Sequence, residues 1–500
     1  MAGIQSLTKI GSLAAVVALS TTTGLCAAEL LALRDVAVVD TRSGEITTGQ
    51  TVMIRGDRIE DIVALGAEPA ESHTVIEGAG RYVVPGYMDM HAHVLDEAAH
   101  GDHDHSAGNH TTQATKLELL LVNGVTGFRQ MSGSADMIAA ARALNAATAA
   151  GEVVAPEVLQ VPGDIYLGQA PAPDAARAFV RAQQAAGADF VKIVAGPREG
   201  ALAVMDEARK LGFGVAGHLP VPVSTAEAVA AGFTSFEHLG ATPGNMLDCA
   251  KAGAMIRTKM VENMPKGPME LPPTFLLNPM LYTAEKMAPA LKGVLGTFDP
   301  EMCDTLAELF IEKDVWQVPT LIRIRGMNFG GAEAFRQDPN LKYLPAETRA
   351  VWEELGMQFD TGLPAETKSV VEAIYGLTQR ITGQWHASGV KMLAGSDLGG
   401  IWVLPGFGLH REFIELEQAG LSPLSVLQAT TLNAGEFLGR ADELGVVAPG
   451  FRADLVLLDA NPMEAAGNLA AISGVMTRGS FIDADGITEI KRRIAENAAD

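Results

Sequence analysis

The feature that most constrains the fold of this chain is an alternation of short apolar runs with helical patterns between residues 83 and 438. Regular alternation of β and α segments is typical of parallel sheets covered by helices, and eight repeats predict an α/β fold, a (β/α)8 TIM-like barrel. The eight runs are Val83–Met90, Gly124–Arg129, Glu157–Val161, Asp189–Val194, Gly214–Gly217, Thr234–Glu237, Val315–Leu321 and Val390–Gly395. The helical stretches after several of them are Asp136–Ala149, Pro173–Ala186, Ala201–Leu211, Ser224–Ala231 and Pro423–Leu438.

Both ends of the chain show the residue alternation of strands instead. Strand-like segments lie between residues 30 and 84 and again between residues 444 and 485. The ends of a domain usually lie close together in space. We therefore predict a small β-sandwich domain built from residues 29–84 and 441–490, beside a barrel of residues 85–440.

Two intervals between the predicted strands are far longer than the usual loop and helix of a barrel. These insertions cover about residues 241–314 and 322–389 and hold helical patterns of their own. Long segments after barrel strands often form lids or pocket walls on the catalytic face, so we expect both insertions to shape specificity. Decoration of the barrel or an oligomer contact is the alternative.

The first residues are typical of a secretory signal peptide, residues 1–28. Lys9 precedes an apolar stretch, Ile10–Leu25, and small residues follow it up to Ala28. We expect cleavage near Ala28 and a periplasmic or secreted protein. The apolar stretch is short of the roughly 20 residues that a membrane span needs, so a membrane anchor is the weaker alternative, as is a lipoprotein cysteine at Cys26. No later segment is predicted to span a bilayer.

Composition and charge narrow the classes of partner. Hydrophobic residues make up 48% of the chain and charged residues 19%, which is typical of a globular protein. The formal net charge of −23 predicts a surface that repels nucleic acid and anionic lipid. We expect a small-molecule substrate, no nucleic acid, and leave a homo-oligomer open.

Two cysteines, Cys249 and Cys303, would remain after cleavage of the signal peptide. They lie far apart in the sequence, and no pattern brings them together. We predict two buried free thiols, with pairing outside the cytosol as the alternative.

Polar side chains stand in or at the carboxyl ends of runs that should be apolar. They are His91, His93, Lys192, His218, His238 and Asp397. His91 and His93 are two positions apart, so both imidazoles face the same side of their strand. Burying each of these groups alone would be unfavourable by several kcal/mol. Because the carboxyl ends of barrel strands meet at one face, we expect the six side chains to converge on a metal site.

Several segments resemble motifs of one enzyme superfamily. The run PGYMDMHAH at residues 85–93 resembles its first-strand motif, and the ends of the sixth and eighth strands match as well. TTLNA at 430–434 and GVVAPGFRADL at 445–455 resemble its last helix and the strand that returns to the terminal domain. The chain is therefore similar to the amidohydrolase superfamily, in the branch of imidazolonepropionase-like enzymes, prolidase-like peptidases and ochratoxin-type amidases. The insertions lie outside this resemblance.

The resemblance implies a binuclear metal centre. His91 and His93 would hold the more buried ion, and His218 and His238 the more exposed one. Lys192 would carry a carbamate that bridges both ions, since a free ammonium repels a cation whereas a carbamate supplies two anionic oxygens. A salt-bridge or substrate-binding lysine beside a single ion is the alternative.

The resemblance also implies a mechanism centred on Asp397. This residue would bind the buried ion, take the proton of a hydroxide held between the two ions, and pass it to the leaving nitrogen. A donor set of nitrogen and oxygen atoms without thiolate suits zinc best. The expected reaction is cleavage of an amide bond in a peptide-like, N-acyl amino acid or cyclic amide substrate. A lactone or phosphotriester hydrolase, or a non-catalytic metal-binding protein, is the alternative.

Three further features stay open in the sequence. Arg129 ends the second run, where it either clamps a substrate carboxylate or forms a salt bridge of the fold. Tyr166 follows the third run, where it either contacts substrate or packs in its loop. A histidine-rich loop after the first run is predicted to be solvated or to line the pocket edge, with an extra metal site as the alternative. Its histidines are His100, His103, His105 and His110.

Overall fold

The computed structural model describes residues 30–70, 73–95, 110–265 and 271–499. The predicted signal peptide and three histidines of the histidine-rich loop, His100, His103 and His105, lie outside the described residues. A search of the described helices for a segment with the length and hydropathy of a membrane span finds none.

The described residues form a mixed α/β fold. The strands are β1 (Leu30–Val39), β2 (Ile46–Arg55), β3 (Arg58–Ala64), β4 (Thr74–Glu77), β5 (Tyr82–Pro85), β6 (Tyr87–Ala92), β7 (Val125–Gln130), β8 (Glu157–Gln160), β9 (Phe190–Ile193), β10 (Gly214–Gly217), β11 (Ser235–Glu237), β12 (Trp316–Val318), β13 (Leu455–Leu458), β14 (Ile472–Thr477) and β15 (Ser480–Asp483). The α-helices are α1 (Gln113–Val122), α2 (Ala135–Ala149), α3 (Pro173–Ala185), α4 (Arg198–Lys210), α5 (Thr225–Ala231), α6 (Gly253–Glu262), α7 (Pro279–Thr297), α8 (Pro300–Glu312), α9 (Leu321–Asn328), α10 (Glu333–Arg336), α11 (Ala346–Gly362), α12 (Ala365–Ser388), α13 (Phe407–Gln418), α14 (Pro423–Thr430), α15 (Leu432–Phe437) and α16 (Ala484–Asn497).

Strands from both ends of the chain form one eight-stranded sheet, ordered β15–β14–β13–β5–β1–β2–β3, with β4 paired to β1. The C-terminal β13 lies antiparallel to the N-terminal β5, where Val456 pairs with Val84. Alternate residues of a strand face the same side. This places Leu455 and Leu457 of β13 in one buried apolar cluster with Ile54 of β2. The two ends thus share a hydrophobic core, while the arrangement of these strands as a two-layered sandwich stays a prediction.

Parallel strands occupy the middle of the chain. One sheet runs β6–β7–β8 and another runs β12–β11–β10–β9. Backbone hydrogen bonds connect the two sheets on one side, from Asp189 N to Val161 O and from Tyr166 N to Lys192 O, each 2.9 Å. Most of these strands are buried along their whole length, as expected when helices cover the outer face of a parallel sheet.

The eighth predicted run differs from the prediction, because residues 391–394 form single pairings rather than a regular strand. Met392 bridges Gln317 of β12 in parallel. Leu393 N donates to Gln317 O (2.9 Å), and Met90 N of β6 donates to Ala394 O (2.9 Å). A run this short makes too few consecutive ladder bonds for a regular strand, yet it lies between β12 and β6.

The helices that follow the strands begin where short polar side chains can cap them. Ser134 accepts a hydrogen bond from the backbone of Met137 at the start of α2. Ser224 and Glu227 form a reciprocal capping box at the start of α5. The prediction of one helix over Pro423–Leu438 is wrong. Thr431 interrupts it with a non-helical backbone (φ −133°, ψ −86°), which separates α14 from α15.

The two insertions are helical. The first contains α6, α7 and α8, and the second contains α9 to α12. The prediction of free thiols in this region is wrong, because Cys249 and Cys303 form a disulfide with their Cα atoms 4.6 Å apart. Tertiary contacts align the two cysteine segments: Asp299 N donates to Cys249 O, and Lys251 N donates to Thr297 O, each at 2.8 Å.

Candidate metal centre

Five of the six polar residues predicted to converge lie in or directly after four parallel strands, and Asp397 follows the short run of residues 391–394. His91 lies in β6 with His93 just after it, and Lys192 lies in β9. His218 directly follows β10, and His238 directly follows β11. Parallel strands point their carboxyl ends toward one face, which brings side chains from distant parts of the sequence together.

Asp397 meets the first histidine pair through one carboxylate oxygen. Its Oδ1 lies 3.2 Å from Nε2 of His91 and 3.2 Å from Nε2 of His93. One donor atom of each of these three residues lies within 4.8 Å of the others. Gly395 permits this approach, because a Cβ there would lie only 2.8 Å from Cβ of His91. We call His91, His93 and Oδ1 of Asp397 the inner group.

The other carboxylate oxygen of Asp397 faces His238, whose ring neighbours that of His218. Oδ2 lies 3.6 Å from Nε2 of His238. The rings of His218 and His238 have their centroids 5.1 Å apart, and those of His91 and His238 are 4.7 Å apart. We call His218, His238 and Oδ2 of Asp397 the outer group. The two groups are adjacent and share one carboxylate.

Lys192 acts electrostatically on both groups. Its side chain is buried, and burial lowers the pKa of its amine to about 8 although the carboxylates of Glu237 and Asp397 oppose this change. The charge of Lys192 acts to lower the pKa values of all four imidazoles of the inner and outer groups. The amine therefore influences the charge of both histidine pairs.

A buried carboxylate sets the orientation of His91. Oε2 of Glu237 lies 2.6 Å from Nδ1 of His91, and neither side chain has more than 1% of its surface exposed. An ionised carboxylate only accepts hydrogen bonds, so Nδ1 carries the proton and the lone pair of Nε2 faces Asp397. Oε1 of Glu237 accepts from Oγ of Ser235 (3.0 Å) and Nη1 of Arg129 (3.2 Å).

Arg129 helps to hold Glu237, the carboxylate that orients His91. Its side chain is 1% exposed, and its guanidinium lies 4.4 Å from the ring centre of Phe190 and 4.8 Å from that of Phe437. This geometry favours the salt bridge of the two roles that the sequence left open. A contact between Arg129 and a substrate carboxylate stays a prediction that no observed contact supports.

Thr320 fixes the tautomer of His238, as Glu237 fixes that of His91. Its hydroxyl donates to Pro319 O (2.8 Å), so it accepts from Nδ1 of His238. The lone pair of Nε2 of His238 then faces Asp397. Both supported imidazoles therefore present the same ring nitrogen to the centre, as metal-binding histidines do when a hydrogen bond fixes their tautomer.

Arg323 contacts the shared carboxylate from α9. Its Nε donates to Oδ2 of Asp397 at 3.2 Å. Its Nη1 and Nη2 donate to the carbonyl oxygens of Leu277 and Leu276, both at 2.6 Å. The guanidinium is almost fully buried. One side chain thus joins the second insertion, the first insertion and the candidate metal centre.

The protonation states suit a cation. Burial holds the pKa values of His218 and His238 well below the usual range, which leaves their imidazoles neutral. Burial opposes ionisation of Asp397, but His91 and His238 hold the pKa of its carboxyl well below its usual range. The neutral imidazoles of His218 and His238 beside the ionised carboxylate of Asp397, with no thiolate among them, fit a divalent metal ion.

Tyr166 packs rather than facing the centre. Its side chain is buried, its hydroxyl donates to Ala170 O (2.9 Å), and its ring lies edge-on to Phe179. This position favours the packing role of the two that the sequence left open.

Three supporting residues escaped the sequence analysis: Glu237, Thr320 and Arg323. Glu237 directly precedes His238 in a strand that should be apolar, which is a usable signal for a buried carboxylate with a partner. Thr320 and Arg323 follow the seventh strand, which carries no predicted ligand. Their partners lie about 75 to 85 positions away in sequence, and no local pattern indicates such a pairing.

Known proteins resemble this chain in sequence and in fold. Residues 378–482 match the model of the amidohydrolase family. The chain is 30% identical over 242 residues to an imidazolonepropionase of Cereibacter sphaeroides, an alignment that covers 44% of this chain and 58% of the relative. The chain therefore spans less than two thirds of the length of the curated relative that it matches.

Solved structures share the architecture. A bottromycin amidohydrolase superposes with a TM-score of 0.68 at 21% identity, over 93% of this chain and 90% of the other. A Xaa-Pro dipeptidase with bound methionine in its active site superposes with a TM-score of 0.60 at 18% identity, over 91% of this chain and all of the other. At such identity the likeness shows the fold, a TIM-like barrel architecture with an additional domain.

Proposed function

We propose that this chain, a member of the amidohydrolase superfamily, is an exported, metal-dependent hydrolase that cleaves the amide bond of a small peptide-like, N-acyl amino acid or cyclic amide substrate. One observation carries the proposal: Oδ1 of Asp397 lies 3.2 Å from Nε2 of both His91 and His93, and Oδ2 faces a third imidazole, that of His238, at one end of the parallel strands. A fold core needs no such cluster, whereas two divalent cations with a shared carboxylate do.

The inner group would hold one ion and the outer group the other, with zinc the best match to these donors. A carbamate on Lys192 would complete the bridge, since its buried position among four imidazoles calls for an anion between two cations. Divalent ions in such a site lower the pKa of water and polarise a carbonyl oxygen, and this is the chemistry that they would supply.

The protein's own part in the reaction falls mainly to Asp397. Its carboxylate is ionised and lies between the two histidine pairs, so it can accept the proton of the attacking water. It can then return this proton to the leaving nitrogen, which makes the amine a better leaving group. Glu237 and Thr320 would keep the imidazoles in the tautomer that the ions require.

The amide substrate is proposed from the relatives. The matched proteins include a bottromycin amidohydrolase and a Xaa-Pro dipeptidase, whose names state action on an amide or peptide bond. The long insertions of this chain differ from barrel helices in length and approach the centre through Arg323. We therefore propose that they determine which amide is accepted.

The remaining parts of the proposal concern architecture and location. Hydrogen bonds from Leu393 to Gln317 and from Met90 to Ala394 support a barrel that closes through residues 391–394. The Cys249–Cys303 disulfide supports export, because disulfides persist outside reducing compartments. A homo-oligomer is left as a proposal for the insertion surfaces.

The test is a substrate screen with the purified chain lacking residues 1–28. The chain is loaded with zinc and assayed against N-acyl amino acids, Xaa-Pro dipeptides, cyclic amides, lactones and a phosphotriester. We expect turnover of an amide and loss of about 10²–10⁴ in kcat for Asp397→Asn, the range that a positioned proton acceptor contributes. Elemental analysis should find two equivalents of metal.

The same screen can contradict the proposal. Turnover restricted to lactones or phosphotriesters would keep the metal centre and reject the amide. Metal binding without turnover of any substrate would favour a non-catalytic metal-binding protein. Intact mass with and without acid treatment tests the adduct on Lys192, since acid removes a carbamate.

A further inference from the structure

We propose that Arg323 is a positioning residue that holds the carboxylate of Asp397 with Oδ1 toward the inner group and Oδ2 toward the outer group. The inference rests on the proposed function, because Asp397 needs one oxygen for each group only if both groups take part. The inference gives the second insertion a role in positioning Asp397, which the fold alone does not require.

The backbone and side-chain torsions of Asp397 do not by themselves fix the orientation of its carboxylate. The torsion that turns an aspartate carboxylate about its own axis is broad, so the aspartate itself does not fix the plane in which its two oxygens lie. The inner imidazoles contact Oδ1 at 3.2 Å, and His238 is farther from Oδ2, at 3.6 Å. The shortest contact of Oδ2 among these is the charged hydrogen bond from Nε of Arg323, at 3.2 Å.

Arg323 is held rigidly enough to impose an orientation. Its two terminal nitrogens donate to consecutive carbonyl oxygens of Leu276 and Leu277 in the first insertion. Gly400 leaves room for the guanidinium, because a Cβ there would collide with Nη1 of Arg323. Since a guanidinium is planar with fixed donor directions, two anchored nitrogens determine where the third N–H points.

A lysine cannot reproduce this arrangement. Its ammonium is a point charge on a flexible stem, so it can pair with Oδ2 but cannot bond both carbonyl groups in the same plane. The pair of variants Arg323→Lys and Arg323→Met thus separates the charge from the geometry.

The experiment compares these variants in the chain lacking residues 1–28. Arg325→Met is the matched control, because Arg325 lies on the same helix and pairs instead with Glu415. We expect kcat to fall about 10–100-fold in Arg323→Met with KM unchanged, in line with the loss of other hydrogen-bonding partners of metal ligands. The kcat of Arg323→Lys should lie between those of Arg323→Met and the parent, and the kcat of Arg325→Met should equal that of the parent.

Two further measurements do not depend on turnover. The first is zinc retention against a chelator in a double-variant cycle with Asp397→Asn. If Arg323 acts through Asp397, the change Arg323→Met weakens retention in the parent and adds nothing in the Asp397→Asn background. The second is a crystal structure of Arg323→Met, in which we expect the carboxylate of Asp397 to be turned or present in two orientations.

The outcomes separate the two proposals. Equal kcat, equal zinc retention and an unchanged carboxylate in Arg323→Met would overturn the positioning role while a metal-dependent parent keeps the proposed function. Equal losses of retention in both backgrounds would show a general structural role for Arg323 and also overturn it. A parent without metal or turnover would reject the proposed function, and the carboxylate orientation in the Arg323→Met crystal would still decide the inference. If Arg323→Met fails to fold, Arg323→Lys carries the same three measurements.

Discussion

The inner and outer groups of the candidate metal centre are supported by different parts of the molecule. The inner histidine His91 lies in a regular strand. Glu237, which contacts His91, and Arg129, which contacts Glu237, lie in strands as well. The outer group is supported by Thr320 and Arg323, at the start of α9 in the second insertion. One half of the site therefore belongs to the parallel strands, and the other half depends on a segment added to them.

The backbone differs between the groups in the same way. His238, Asp397 and the supporting Thr320 have φ values of +55°, +53° and +47°, in the left-handed region that few residues with a side chain adopt. Neither of the inner histidines, His91 and His93, has a positive φ, and Asp397 is shared by both groups. Such a conformation is unfavourable by about 1–3 kcal/mol per residue and persists only where surrounding contacts determine it. The outer group thus stores strain that its hydrogen bonds must maintain.

This comparison suggests a division of tasks. Strands that pack on both faces hold the inner group in one arrangement, whereas an insertion can change its sequence without disturbing the barrel core. On the function proposed above, such a centre would keep its chemistry while the sequence on its outer side changes. The following variants test this contrast between the support of the inner group and that of the outer group.

The largest expected effect is on the inner support. Glu237→Gln would leave the Arg129 guanidinium buried without its carboxylate partner. Breaking a buried ion pair from one side is destabilising by about 3–5 kcal/mol. Denaturant unfolding should show this loss, and zinc should bind about 10–100-fold more weakly because one neutral amide oxygen replaces the two charged acceptor oxygens that serve His91 and Arg129.

The control is Arg129→Met, alone and combined with Glu237→Gln. The double variant removes both members of the pair, so it should recover part of the stability that either single variant loses. Strictly additive losses would mean that the two residues act independently and that the inner support is not a connected network.

The disulfide of the first insertion should contribute to the free energy of unfolding and leave zinc retention unchanged. Replacing Cys249 and Cys303 together with alanine should lower the free energy of unfolding by about 2–4 kcal/mol. Zinc retention by the inner group should not change, since no inner contact passes through either cysteine. A loss of zinc comparable with that of Glu237→Gln would contradict the separation of strand and insertion support.

A smaller effect is expected at the outer histidine. Thr320→Val keeps the shape of the side chain but removes the acceptor for Nδ1 of His238. An unpaired buried donor is unfavourable by about 1–3 kcal/mol. Chelator titration should show weaker retention of one metal equivalent, and Thr320→Ser, which keeps the hydroxyl, should retain the parent value. Equal retention in all three proteins would remove Thr320 from the outer support.

The smallest effect concerns the base of α9, where Glu412 of α13 accepts from Ile322 N at 2.7 Å. Burial raises the pKa of Glu412 well above its usual range, and the nearby carboxylates of Glu415 and Asp89 act in the same direction. Folding therefore favours its protonated form. The contribution to stability is full below its unfolded pKa and is lost as pH rises through the folded value.

Glu412→Gln should therefore flatten the decline of Tm from mildly acidic to alkaline pH. The amide oxygen can still accept from Ile322, so kinetics should match those of the parent. The measurement is a thermal unfolding series over pH for both proteins. A decline of the same slope in Glu412→Gln would exclude Glu412 as its source.

The sequence by itself determined the parts of this protein that depend on local pattern. The alternation of strands and helices, the positions of several helices and the polar residues at strand ends follow from periods of two and 3.6 residues and from burial. Because parallel strands end at one face, the approach of His91, His93, His238 and Asp397 could be predicted without coordinates. The match to amidohydrolases was visible in the same segments.

The tertiary structure alone decided which distant groups pair. The Cys249–Cys303 disulfide, the burial of Arg129 against Glu237, and the contact of Arg323 with Asp397 join positions 54 to 108 residues apart. Each residue has several chemically equal partners elsewhere in the chain, and local propensity does not choose among them. The choice follows from packing of whole elements, which fixes side-chain distances only once the core and both insertions are assembled.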